Sequence, residues 1–235
     1  MTKKAWSWLH AVNLVLLAGA LYGVVYYQQH GGLLLKGITS AWFVLISLIN
    51  TVIALKARVQ KRVFPCLITL GLVLGLCADV LLGVEFLLGV GFFALGHLMY
   101  LFAFYALDRP RLRDVFCILP LTALSLFFAL GTDLITIREP LLKILLPGYA
   151  ALIGCMLGKA VSLFFGQKNA FGLLTLLGCA LFWFSDLMLA ISMFGRGGRI
   201  FSLLCTFTYW PGQSILACAL FHYARRYAKP VEQNP

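Results

Sequence analysis

The sequence predicts an all-α, polytopic transmembrane bundle of about eight helices. Three observations predict it: apolar runs near 20 residues long recur from end to end, most of the charge lies between them or at their ends, and no soluble segment is left over. Of 235 residues, 62% are hydrophobic and only 11% charged, and the mean hydropathy is +0.94. No single water-soluble globule can bury that much apolar surface, so lipid must be the main solvent. The spans fall at about 6–27, 33–55, 63–84, 86–107, 115–131, 140–165, 171–193 and 200–224, making residues 1–235 one integral membrane domain. The first run begins just after Lys4 and others follow at once, so it reads as a span rather than a cleaved leader.

A net charge of +11 would suit a nucleic-acid binder, but its placement excludes that class. Lys3 and Lys4, the Lys56–Arg62 stretch, Arg109–Arg113, Lys168 and Arg225–Lys229 share one side, against Lys36, Arg138, Lys143, Arg196 and Arg199 on the other. The positive-inside rule then puts both termini in the cytoplasm, and the short termini point to a bacterial cytoplasmic membrane. Lys159, within span six, is expected to snorkel towards the headgroups. The seven cysteines have no metal-ligand spacing and read as small buried hydrophobes. Pro120, Pro147 and Pro211 are positioned to kink spans five, six and eight. Gly71-x-x-x-Gly75 and Gly154-x-x-x-Gly158 offer surfaces for close helix contact.

The halves of the chain echo each other. Leu76-Cys77-Ala78-Asp79-Val80-Leu81-Leu82 in span three is matched by Trp183-Phe184-Ser185-Asp186-Leu187-Met188-Leu189 in span seven. Four spans per half would make a parallel 4+4 repeat, with both aspartates at one depth, roughly 10 Å from the outer end at ~1.5 Å per residue.

An ionisable group in hydrocarbon costs at least ~2.5–3.5 kcal/mol and demands a reason. Three stand firmly inside spans: Asp79, His97 and Asp186. Tyr100 lies one turn beyond His97, and Tyr209 and Gln213 share a face of span eight at i, i+4. A carboxyl removed from water holds its proton more tightly, and two close together titrate in separate steps, so one can serve as acid while the other is a base. The competing reading is structural: Asp79 hydrogen-bonds His97, Asp186 hydrogen-bonds Tyr209, and the bundle is held together. Asn50 reads as an interhelical amide. Zinc sites usually recruit several histidines, and with only His97 well inside a span no metal or other cofactor is expected. Arg196 and Arg199, just beyond the span of Asp186, suit a phosphate headgroup, or anchoring at the membrane surface.

At these residues the chain resembles the YhhN-like membrane family, whose characterised members are lysoplasmalogenases. The resemblance runs from span two to span eight. Gly75-Leu76-Cys77-Ala78-Asp79-Val80-Leu81-Leu82, Phe93-x-x-x-His97-x-x-Tyr100, Phe182-x-x-Ser185-Asp186-x-x-Leu189, and Tyr209 with Gln213 carry it. Ala78 stands where a glycine is common in the family. The resemblance implies hydrolysis of the vinyl-ether bond of a lysoplasmalogen, giving a fatty aldehyde and glycerophosphoethanolamine or glycerophosphocholine. It implies Asp79 and Asp186 as the acid–base pair, with His97, Tyr100, Ser185, Tyr209 and Gln213 around the substrate. Two other classes fit the residues: a proton-coupled transporter, and a metal-dependent hydrolase of lipid esters or amides.

Overall fold

The structure is a computed structural model that describes residues 2–195 and 198–228. These fold into eight helices: α1 Lys3–His30, α2 Leu33–Lys56, α3 Val63–Leu81, α4 Phe86–Leu107, α5 Leu112–Leu130, α6 Pro140–Gln167, α7 Ala170–Phe194 and α8 Arg199–Tyr227. Polar side chains start several of them. Thr2 accepts from the amide of Ala5, and Asn169 accepts from that of Gly172 at 2.9 Å. Asp114 accepts from the backbone of Arg111 at 2.9 Å, and Pro140 opens α6, where no amide is needed. The tight α1–α2 connection uses Gly31 and Gly32 at φ 66° and 96°, the left-handed region that favours glycine.

Seven helices are long and apolar enough to cross a membrane, and the protein is an integral, multi-pass membrane protein. Large apolar side chains such as Val15, Leu34, Phe116 and Ile144 point outward and stay exposed, as lipid-facing groups do. The eighth helix, α8, is 29 residues long but less apolar. Its middle carries Thr206, Tyr209, Gln213 and Ser214, all buried, because α8 is enclosed by α7, α2, α1 and α3. A helix wrapped in protein can carry polar groups that lipid would not tolerate.

The packing repeats in two halves. The α3–α4 pair corresponds to α7–α8, α2–α3 to α6–α7, α1–α2 to α5–α6, and the cross-contact of α2 with α8 to that of α6 with α4. Glycines set both central crossings. A Cβ on Gly71 would lie 2.4 Å from the Tyr100 ring and 3.0 Å from the Gly96 carbonyl, and one on Gly178 would lie 2.9 Å from the Gly212 carbonyl. Each aspartate stands eight residues after its crossing glycine, Asp79 after Gly71 and Asp186 after Gly178. Gly154 and Gly158 make the α5–α6 crossing, where a Cβ would meet Thr122 Cα at 2.7 Å and Ile118 Cα at 2.5 Å. Gly75 makes no helix crossing: its nearest neighbours are the Tyr209 hydroxyl at 3.5 Å and the Gln213 amide at 3.8 Å.

Three expectations need correction. First, α3 stops at Leu81, three residues short of the expected span end, so Asp79 lies in its last turn whereas Asp186 lies eight residues before the end of α7. Second, Lys159 does not snorkel. It is fully buried, with Nζ 2.8 Å from Asp114 Oδ2, 3.6 Å from Asp108 Oδ2 and 4.6 Å above the Tyr105 ring. Arg113 completes the cluster by bonding Asp108 at 2.6 Å and Ser162 at 2.9 Å, tying the end of α4 and the start of α5 to α6. Third, the cysteines, all free, are not uniformly buried: Cys179 and Cys218 are, whereas Cys66 lies exposed on an outward face of α3. Asn50 is the interhelical amide the sequence leads one to expect, exchanging hydrogen bonds with Asn13 of α1 at 2.6 and 3.0 Å and donating to the Ala217 carbonyl of α8 at 3.1 Å.

Candidate active site

The end of α1, the start of α2, the end of α3, the late part of α7 and the start of α8 meet at the end of the bundle that the sequence places outside. There they enclose a cavity of about 150 Å³. Asp79 and Asp186 both line it, together with Tyr27, Lys36, Phe93, Cys205, Thr206, Tyr209 and Trp210. The two carboxylates therefore share one space rather than facing lipid.

Asp79 is almost wholly buried. Sitting in the last turn of α3, it faces the negative end of the helix dipole, so an ionised carboxylate there needs donors from other helices. It has them. Tyr209 of α8 donates to Oδ2 at 2.8 Å and Ser40 of α2 donates to the same oxygen at 2.5 Å. The Trp210 indole N–H donates to Ser40 Oγ at 2.9 Å, which fixes the direction of the Ser40 proton towards the carboxylate. On the other oxygen, Lys36 Nζ stands 3.6 Å from Oδ1.

Asp186 is less enclosed and is held from both halves. Tyr149 of α6 donates a short hydrogen bond to Oδ2, and His97 Nε2 of α4 lies 3.3 Å from the same oxygen and 2.9 Å from the Tyr149 hydroxyl. The Oδ1 side meets only the Ser185 hydroxyl at 3.5 Å, and that hydroxyl is better placed at 2.7 Å on the Phe182 carbonyl. Both partnerships reverse the expected pairing. Asp79 takes Tyr209 and Asp186 takes His97: Asp79 stands eight residues beyond the α3–α4 crossing at Gly71, whereas His97 is next to the Gly96 end of that crossing.

Other expected residues stand behind this pair. Tyr100 donates to Gln213 Oε1 at 2.9 Å, both fully buried, tying α4 to α8. Gln213 Nε2 and His97 Nδ1 have no protein partner. Ser185 turns back onto its own helix, and Arg199 is exposed at the start of α8. Arg196 lies outside the described residues. The sequence did not single out as site residues Lys36, Ser40 and Tyr149, which contact the carboxylates, or Trp210, which bonds Ser40. Among the described residues no three His, Cys, Asp or Glu side chains come together as a metal site.

Asp186 also borders two apolar clefts. One, between α5, α6 and α7, is lined by Phe128, Ile135, Leu146, Ile153 and Trp183. The other lies against α3 and α4, among Leu82, Phe86, Val90 and Phe93. Carboxyl chemistry, a polar cavity and room for hydrocarbon thus meet at one residue. Compared with known proteins, the chain is matched by the model of the YhhN family over residues 40–220, which takes in α3 to α7 whole and both aspartates. No curated protein and no solved structure matches the chain significantly.

Proposed function

The chain belongs to the YhhN family, and from that membership and the geometry above we propose that it hydrolyses the vinyl-ether bond of lysoplasmalogens. The observation that carries the reading is the position of Asp186, where the cavity shared with Asp79 meets clefts that fit a hydrocarbon chain. A single-chain lipid has its vinyl ether at that kind of boundary, just beneath the glycerol and at the head of the tail.

Vinyl ethers resist bases and open on protonation of the alkene carbon distal to oxygen. One aspartic acid gives its proton to that carbon, and the ether oxygen shares its electrons to form an oxocarbenium ion. The other aspartate takes a proton from water as the water oxygen bonds to the cationic carbon. The carboxyl that took the water proton then delivers it to the departing glycerol oxygen, while the hemiacetal hydroxyl gives its proton to the carboxylate that began the reaction, leaving an alcohol and a fatty aldehyde. One water is consumed and both carboxyls are restored. Tyr149 and His97 orient one carboxyl, and Ser40, Tyr209 and Lys36 the other.

Purified protein in detergent, offered a lysoplasmalogen and the matching ester lysolipid, is expected to release aldehyde from the first only, read through a coupled dehydrogenase. Loss of general acid–base groups costs ~10²–10⁴-fold, so Asp79→Asn and Asp186→Asn should each reduce release on that scale while melting like the parent. No aldehyde from the vinyl ether would defeat the assignment. Activity lost in EDTA and restored by zinc would replace the acid–base account with a metal-dependent one.

A further inference from the structure

We propose that the two aspartates have fixed and different tasks: Asp186 is the proton donor, Asp79 is the base that activates water, and Lys36 is a positioning residue that keeps Asp79 ionised. The proposal rests on the vinyl-ether reading and assigns what that reading leaves open. It comes from how the oxygens are occupied.

Both oxygens of Asp79 face groups suited to a carboxylate. Oδ2 receives two hydroxyl donors, Ser40 and Tyr209, and Oδ1 faces the Lys36 ammonium. The Ser40 proton has no alternative direction, because the Trp210 N–H occupies the other side of its oxygen. Two donors and a cation around one buried carboxyl favour its charged form. Asp79 lines the cavity, which has room for a water beside it.

Asp186 has the opposite arrangement. Tyr149 donates to Oδ2 and His97 Nε2 lies 3.3 Å from the same oxygen, surroundings that suit a carbonyl-like oxygen, and among the described residues no lysine or arginine pairs with it. Oδ1 has no close partner, since Ser185 is committed to the Phe182 carbonyl. An oxygen left in that state can carry a proton and deliver it. The apolar clefts that begin at this residue, and not at Asp79, would bring the alkene beside it.

Hydrogen exchange separates the two steps. In D₂O, protonation of the distal alkene carbon adds deuterium. If the oxocarbenium ion is not trapped by water, the Asp186 carboxylate can remove the original hydrogen and regenerate a deuterated vinyl ether. Asp79→Asn should therefore return substrate deuterated at that carbon while releasing aldehyde at least ~100-fold more slowly. Asp186→Asn should give neither product. Lys36→Met should slow aldehyde release about tenfold with exchange retained, so that the exchange-to-hydrolysis ratio rises, and Lys36→Arg should restore the parent ratio. Each variant is compared with the parent in melting temperature and elution from a sizing column, so that a folding defect is recognised. Exchange in Asp186→Asn but not Asp79→Asn would reverse the roles. Exchange in neither, or an equal loss of both activities in Lys36→Met, would overturn the proposal. Parent protein that releases no aldehyde would instead defeat the vinyl-ether reading itself.

Discussion

Replacing Lys159 with methionine preserves most of the side-chain volume and removes one buried charge with three donors, which isolates the electrostatic contribution of the ion cluster. Breaking one partner of a buried pair generally costs ~3–5 kcal/mol, because the remaining charge is left without compensation. Here the lower end applies. Asp108 keeps Arg113 at 2.6 Å and Arg111 at 3.0 Å, and Asp114 keeps Ser162 and the Arg111 amide. At ~2–4 °C per kcal/mol for a chain of this size, a loss of ~3 kcal/mol lowers the melting temperature by roughly 6–12 °C. Tryptophan fluorescence during heating of the detergent-solubilised protein measures it. Adding Asp114→Asn removes the stranded charge, so the double variant should be more stable than the two separate losses add up to. A Lys159→Met variant that melts within ~2 °C of the parent would mean that the ammonium reaches water or headgroups after all, and the buried-cluster account would be wrong.

Two further outcomes follow from contacts described above. Gly71→Ala forces a Cβ into the Tyr100 ring and should cost about 1–3 kcal/mol, whereas Gly148→Ala, with nothing within 4 Å of the new carbon, should leave the melting temperature unchanged or raise it. Equal melting of the two variants would refute the close α3–α4 crossing. Tyr149→Phe removes the hydroxyl donor to Asp186 and should reduce kcat about tenfold, with the fold intact, since one such bond contributes on the order of 1.4 kcal/mol. An unchanged kcat would place Tyr149 outside the chemistry.

Helices were legible because 20-residue apolar runs separated by short charged connections have few other solutions. Depth was legible only as far as the helix ends were, and α3 ends three residues early, so Asp79 lies nearer its helix end than Asp186 does. Neighbours were not legible. Lys159 looked like a snorkelling side chain because its partner Asp114 is 45 residues away on another helix. Asp79 was paired in expectation with a residue of the next helix, but its donor Tyr209 is 130 residues distant. Ser40 and Tyr149 escaped notice because a hydroxyl costs little in an apolar helix and has no signature there. Lys36 counted only as one of the basic residues of the outer side, since it lies in the first turn of α2, where a long side chain usually reaches headgroups. Only packing turns it inward towards Asp79.

The repeat explains both why two carboxyls meet and why they differ. Crossing glycines at equivalent positions bring α3 onto α4 and α7 onto α8 in the same way, so equivalent aspartates approach one central cavity from opposite halves. Symmetry alone would give them identical surroundings, and identical carboxyls would compete for the same proton state. The sequence breaks the symmetry at the next shell of residues. Relative to the crossing glycines Gly96 and Gly212, Phe93 corresponds to Tyr209 and His97 to Gln213, so one half supplies a phenol where the other supplies a plain ring, and an imidazole where the other supplies an amide. Tyr209 gives Asp79 a donor whose counterpart Phe93 cannot provide for Asp186, while His97 reaches Asp186 and Gln213 is taken by Tyr100. Exchanging the Phe93 and Tyr209 side chains is therefore a more demanding perturbation than removing either, because it preserves composition and aromatic volume and disturbs only which carboxyl receives the phenol.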